Sequence, residues 1–234
     1  MGTVKPTPRH RAVLFDLFNT LVPGGSREER DEVSRRMAEA VGVEPATMAG
    51  LIRSTFDNRT RGRCGDLRQT MVWLAGELGA TPSPDAVQAA LELRLEMTRS
   101  LHSRTWALPA LIELGRVGVL RAIVSDCSAE TPTIWAESPL SSHLEAVSFS
   151  CQTGHRKPEP EAYLVAVARL GVDPSECLFV GDGGSHELAG ATELGMTAIR
   201  FIPPIGARGE SIDEDTAWSG HTISDLIDLV ALFE

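Results

Sequence analysis

Residues 12–26 read AVLFDLFNTLVPGGS, and the change of character inside this stretch decides the fold. Residues 12–15 are continuously apolar and include a valine, the pattern of a short strand buried on both faces. Asp16 ends the run. Asn19, Thr20, Pro23, Gly24, Gly25 and Ser26 follow as polar and turn-forming residues. A carboxylate closing a buried strand either caps a turn or faces a site, and the stretch alone leaves both open.

From residue 27 to 103 the periodicity turns helical. Met37, Ala40 and Val41 share one helical spacing, and Met48, Leu51, Ile52 and Phe56 a second. Leu67, Met71, Leu74 and Leu78 form a third segment, ending at Gly79. Val87, Leu91, Leu95 and Met97 form a fourth, after Pro84. No strand signal interrupts them, so a compact module of four helices is expected. Strand signals return at 117–124, 147–149, 178–180 and 196–201. Helical segments at 107–114, 129–136, 161–170 and 187–194 lie between them. A covering helix over 223–233 is expected to place Leu226, Ile227 and Val230 on one face.

Strands alternating with helices imply an α/β fold with a mostly parallel sheet covered on both sides. The predicted layout is a discontinuous core of residues 1–22 and 104–234, with a helical domain of residues 23–103 inserted. Such a sheet carries its site beyond the C-terminal strand ends. Asp16, Ser125 and Asp182 all fall there.

The 234 residues, 42% of them apolar, suffice for a large core. A net charge of −10 excludes the long-range positive field that gathers nucleic acid. Arg61, Arg63 and Arg68 read as a solvated face beside Asp57 and Asp66. Cys64, Cys127, Cys151 and Cys177 lack metal-ligand spacing and are expected to be reduced and mostly buried. The basic start, MGTVKPTPRHR, meets only a short apolar run, so no signal peptide is expected. No run approaches a membrane span. The cytoplasm is the expected location.

Two carboxylates, Asp16 and Asp182, converging on one crevice repel each other unless a proton or cation intervenes. Mg²⁺ suits such an oxygen-rich arrangement. Glu187 either orders the metal's waters, binds it directly, or simply favours a first helical turn. Lys157, in GHRKPEP, precedes a backbone restricted by Pro158 and Pro160. It could neutralise phosphate there or be an ordinary loop lysine. Ser125 could donate to a phosphoryl oxygen or serve a turn. His155 and Arg156 read as loop residues. GDGG lacks the second half of a dinucleotide fingerprint.

These segments together resemble the haloacid dehalogenase-like superfamily over nearly the whole chain. AVLFDLFNTLV resembles its first motif, LRAIVSDCS the second, HRKPEPEAY the third and LFVGDGGSHELAGATELGM the fourth. The resemblance implies a Rossmann-like core and a four-helix cap of the type placed between the first two motifs. It implies Asp16 as nucleophile, Thr20 as the motif threonine, Ser125 as phosphate ligand and Lys157 as the motif lysine. It implies Mg²⁺ at Asp16, Asp182, Glu187 and the backbone carbonyl of residue 18. The substrate would be a small phosphorylated metabolite; neither nucleic acid nor a membrane is an expected partner, and oligomeric state is left open.

Two positions depart from the phosphatase pattern. Phe18 stands where phosphatases of the family usually carry a second aspartate, and Glu187 where an aspartate is usual. The leading expectation is Mg²⁺-dependent phosphate monoester hydrolysis through an aspartyl-phosphate. Phe18 keeps two alternatives open: a metal-independent 2-haloacid dehalogenase, and a phosphate-binding relative with a relic site. Phosphonate cleavage would need a cap lysine, and residues 27–103 contain none. Arg61, Arg63 and Trp106 are the conceivable specificity residues.

Overall fold

The computed structural model describes residues 10–205, 209 and 218–233. All but the last two residues of the basic N-terminal segment lie outside the described residues. The centre of the molecule is β1 (Ala12–Phe15), all four residues fully buried. Alternate side chains point to opposite faces of a strand. Val13 and Phe15 enter one apolar cluster, and Ala12 and Leu14 another. Layers therefore cover both faces.

The sheet has six strands in the order β3-β2-β1-β4-β5-β6, every pair parallel. These are β2 (Leu120–Ser125), β3 (Ala146–Phe149), β4 (Cys177–Gly181), β5 (Thr197–Phe201) and β6 (Thr222–Ile223). Strand order reverses between β1 and β4. Such a switch point opens a crevice at the carboxyl ends of the two strands. Phe15 pairs with Val180 in register, so Asp16 and Asp182 leave the sheet side by side.

The stretch expected to hold four helices, residues 27–103, holds five: α1 (Arg27–Val41), α2 (Pro45–Ser54), α3 (Phe56–Thr60), α4 (Leu67–Glu77) and α5 (Pro84–Ser103). The second expected segment is split. Ser54 and Thr55 both return their hydroxyls to the Leu51 carbonyl, at 3.2 and 2.6 Å. That back-bonding competes with helix propagation, and a short fifth helix results. Ser26 starts α1 with a reciprocal capping box to Glu29. The block has its own apolar cluster, including Met37, Met48, Met71, Leu74 and Leu91.

The remaining helices cover the sheet: α6 (Leu108–Arg116), α7 (Glu130–Ile134), α8 (Ser150–Thr153), α9 (Pro160–Leu170) and α10 (Glu187–Glu193). β2 starts three residues later than expected because α6 runs on. The Val117 N–H closes onto the Glu113 carbonyl, and Gly118 turns at φ +82°. The expected closing helix is a short sixth strand followed by a 3-10 helix over Leu226–Leu232. A three-residue period brings Leu226 and Leu229 onto the buried face and leaves Ile227 exposed. Cys127 and Cys177 are buried, whereas Cys64 and Cys151 are only partly so; all four are free thiols. Among the described residues no helix is long and apolar enough to cross a membrane.

Candidate active site

The turn after β1 closes on itself. The Leu21 and Val22 amides return to the Leu17 carbonyl, and the Asn19 amide donates to Val22. Asn19 sits at φ +63°, a conformation asparagine tolerates better than most residues. Its Nδ2 donates to Asp182 Oδ2 at 3.1 Å, and its Oδ1 accepts from the Gly24 amide at 3.0 Å. The return from α5 is pinned to the same turn. Thr105 Oγ1 donates to the Leu21 carbonyl at 2.7 Å, and Trp106 Nε1 to the Thr20 carbonyl at 2.9 Å.

Asp16, Asp182 and Glu187 are all buried. Each offers a carboxylate oxygen within 4.8 Å of the other two. Lys157 joins them, its Nζ 2.5 Å from both Asp16 Oδ1 and Glu187 Oε2. Thr20 Oγ1 donates to the other Asp16 oxygen at 3.1 Å. Burial lifts the Asp16 carboxyl to about 6 against the downward pull of Lys157, and pushes Glu187 well above the usual carboxylate range. Burial also opposes the Lys157 charge, but Asp16 and Glu187 outweigh it and raise its pKa.

Glu187 is seated by the backbone. Its Oε1 accepts from the Gly183 amide at 2.9 Å. A Cβ on Gly181 would lie 2.1 Å from that same oxygen, so only glycine at the end of β4 admits the carboxylate. The loop between Asp182 and Glu187 has three left-handed residues, Gly183, Ser185 and His186. For the latter two this conformation is strained. All donors in the cluster are hard oxygens, and three carboxylates face one ammonium. The deficit of positive charge is one that a divalent cation would cancel, so the residues fit a metal ion.

A cavity of about 400 Å³ opens above the cluster. Asp16, Phe18, Lys157, Asp182 and Glu187 line its floor. Thr20 and Ser125 do not line it. Ser125 is buried, and its Oγ has no hydrogen-bond partner.

Residues 10–195 match the family of haloacid dehalogenase-like hydrolases. The chain belongs to that family. This hydrolase is 27% identical over 196 residues to the glyceraldehyde 3-phosphate phosphatase of Methanopyrus kandleri, covering 82% of this chain and 83% of that one. Its fold is shared with a HAD phosphatase from Thermococcus onnurineus, at TM-score 0.62 and 21% identity over 95% of this chain and 97% of the other. It is shared equally with the L-2-haloacid dehalogenase of Xanthobacter autotrophicus, at TM-score 0.60 and 22% identity over 95% and 98%.

The helical block forms the cavity's upper wall in this hydrolase, and not through the arginines expected from sequence. Arg61 pairs with Asp57 and Glu159, joining the block to the core. Arg63 is exposed beside Asp57, and Trp106 stacks on Phe201. None of the three lines the cavity. Arg59 and Arg94 do. Arg59 Nη1 donates to Ser128 Oγ at 3.0 Å, and Ser128 Oγ to Glu130 Oε1 at 2.9 Å. Arg94 Nε donates to that same oxygen at 3.1 Å. Arg94 and Arg59 outweigh the effect of burial and hold the Glu130 carboxyl down at about 2. No spacing in the sequence flags this network, because its members lie on three separate elements. His155 pairs with Glu159 and does not reach the cavity.

Proposed function

We propose that this hydrolase cleaves phosphate monoesters of small metabolites with Mg²⁺, through a covalent phosphate on Asp16. The observation that carries the reading is the buried cluster of Asp16, Asp182, Glu187 and Lys157 at the switch point of the sheet. Residues 23–103 act as a cap over the core of residues 1–22 and 104–234.

Asp16, Asp182, Glu187 and the backbone carbonyl of Phe18 would hold the metal. Its chemistry there is neutralisation of phosphoryl charge, which brings an anionic substrate to an anionic nucleophile. Asp16 attacks phosphorus with one carboxylate oxygen while Thr20 steadies the carboxylate, and the phosphorus–oxygen ester bond breaks to release the alcohol portion of the substrate through its oxygen. Lys157 draws negative charge from the transferring phosphoryl group, and the free Ser125 hydroxyl supplies a donor to it. Water then cleaves the acyl phosphate.

The fold is common to phosphatases and dehalogenases, so metal dependence separates them. Wild-type protein and Asp16→Asn should be assayed on aryl phosphates and 2-haloacids, with Mg²⁺ and with excess chelator. Phosphate release that requires both Mg²⁺ and Asp16 is expected. Halide release persisting in chelator would overturn the phosphatase reading in favour of a dehalogenase.

A further inference from the structure

The cavity is polarised along its depth. Its floor is the carboxylate cluster. Above it the described lining residues include five arginines, Arg27, Arg30, Arg53, Arg59 and Arg94, and three acids, Asp31, Asp126 and Glu130; Asp126 accepts from the Lys157 amide at 3.0 Å. Asp31 accepts from Arg53 at 2.8 Å and lies 3.7 Å from Arg27. Glu130 is engaged by Arg94. Guanidinium groups outnumber carboxylates on this wall.

Arg59 is the most telling of the five. It is only 7% exposed, so its charge is largely withdrawn from water. Its described hydrogen bonds go to neutral oxygens, the Ser128 hydroxyl and the Ile52 carbonyl at 2.8 Å. Its Nε has no partner at all. Burial lowers its pKa to about 10, a cost the partial field of Glu130 does not remove. A buried cation without a carboxylate of its own is unfavourable unless an anion completes it. Arginine is also the side chain best shaped to grip a planar carboxylate or a phosphate.

The transferring phosphate belongs on the floor, where the metal and Lys157 would meet it. It leaves the wall unmatched. We propose that this hydrolase selects substrates with two anionic groups, and that Arg59, with Arg94 beside it, binds the second one, a carboxylate or a phosphate. The inference rests on the phosphatase reading for the first group and adds a binding site for the other. A cavity of about 400 Å³ accommodates a small metabolite with a charge at each end.

The test is calorimetric binding to Asp16→Asn protein with Mg²⁺, using two matched pairs. Glycerol 3-phosphate against 3-phosphoglycerate reads a carboxylate, and ribose 5-phosphate against ribose 1,5-bisphosphate reads a phosphate. In at least one pair the two-anion ligand should bind about tenfold tighter, which is about 1.4 kcal/mol. Adding Arg59→Gln should collapse that ratio, and Arg59→Lys should restore part of it, with circular dichroism melts to verify folding. Equal affinities within both pairs would overturn the proposal, as would a ratio indifferent to both Arg59 variants. Wild-type turnover of an aryl phosphate, which needs no protonated leaving group, is measured alongside. A binding ratio without turnover sinks the phosphatase reading and keeps the anion site; turnover without a ratio does the reverse.

Discussion

The ring of Phe18 meets the imidazole of His102 edge-on, with centroids 6.3 Å apart and planes at 69°. Trp135 packs on His102 in the same manner at 6.0 Å. Neither ring nitrogen of His102 has a hydrogen-bond partner, and burial lowers its pKa to about 4. The side chain behind Phe18 is therefore neutral at pH 7 and encased in aromatic groups. The position where phosphatases of the family usually carry an acid is backed here by apolar packing.

Slow turnover of alkyl phosphates follows for this protein. An alkoxide leaving group needs a proton, whereas an aryloxide leaves readily without one, and general acid catalysis contributes on the order of 10²–10⁴-fold. The ratio of kcat/KM for aryl over alkyl phosphates should be large in the wild type. Phe18→Asp should narrow it by raising the alkyl rate. Fast alkyl turnover in the wild type, lost on introducing aspartate, would place the proton donor elsewhere.

His102 also ties stability to pH. Its folded-state pKa of about 4 lies below the ordinary 6.5, so the unfolded chain binds the proton first. No penalty exists above pH 6.5. It grows as pH falls towards 4 and is complete below that, reaching about 3 kcal/mol. Urea titrations of wild type and His102→Leu from pH 8 to pH 4 should diverge on the acidic side only. Parallel curves would mean that His102 is protonated at no cost in the fold.

Gly181→Ala should separate folding from metal binding. The added methyl would occupy the place of Glu187 Oε1, at 2.1 Å. Glu187 would have to give up the Gly183 amide or Lys157. Mg²⁺ affinity is expected to fall about tenfold or more, a loss typical when the orientation of a metal-site carboxylate is disturbed. The melting temperature should change much less. An unchanged calorimetric Mg²⁺ titration would show that the position of Glu187 is irrelevant to the ion.

Glu130→Ala should be among the most destabilising single changes available. It leaves Arg94 and Arg59 facing each other with no buried carboxylate between them. Removing one partner of a buried ion pair costs about 3–5 kcal/mol. Replacing Arg94 and Glu130 together by methionine should recover most of that loss, as measured by denaturant midpoints. A double variant no better than the single would attribute the effect to lost packing instead of to stranded charge.

The sheet and its strand-end polar residues are legible because short apolar runs leading to Asp16, Ser125 and Asp182 are local patterns. The sixth strand was missed because Thr222 and Ile223 are too few to show alternation. The closing stretch reads as an α-helix with Leu226, Ile227 and Val230 on one face because an apolar run this dense fits either period, whereas the 3-10 helix buries Leu226 and Leu229. Lys157 was assigned to the site by motif, and the structure places it between Asp16 and Glu187. The cavity wall was not legible. Arg59 and Arg61 are two residues apart with similar neighbours, yet one faces the cavity and the other the Glu159 seam. Two positions along a helical path point in roughly opposite directions, and which of the two meets the cavity is fixed only by how α3 packs on the core.

The central placement of β1 carries a consequence for the order in which the protein assembles. Asp16 meets a lysine 141 positions further along the chain, and Asn19 an aspartate 163 positions away. Bringing such distant pieces together costs loop-closure entropy before any contact rewards it, which makes folding slow. The helices of residues 27–103, by contrast, gather an apolar cluster from near neighbours in sequence. On dilution from denaturant the far-ultraviolet signal of these helices should therefore return ahead of competence to bind phosphate. The pocket over the carboxylate cluster is expected to be the last feature this chain acquires, existing only once both halves of the parallel sheet have closed around its first strand.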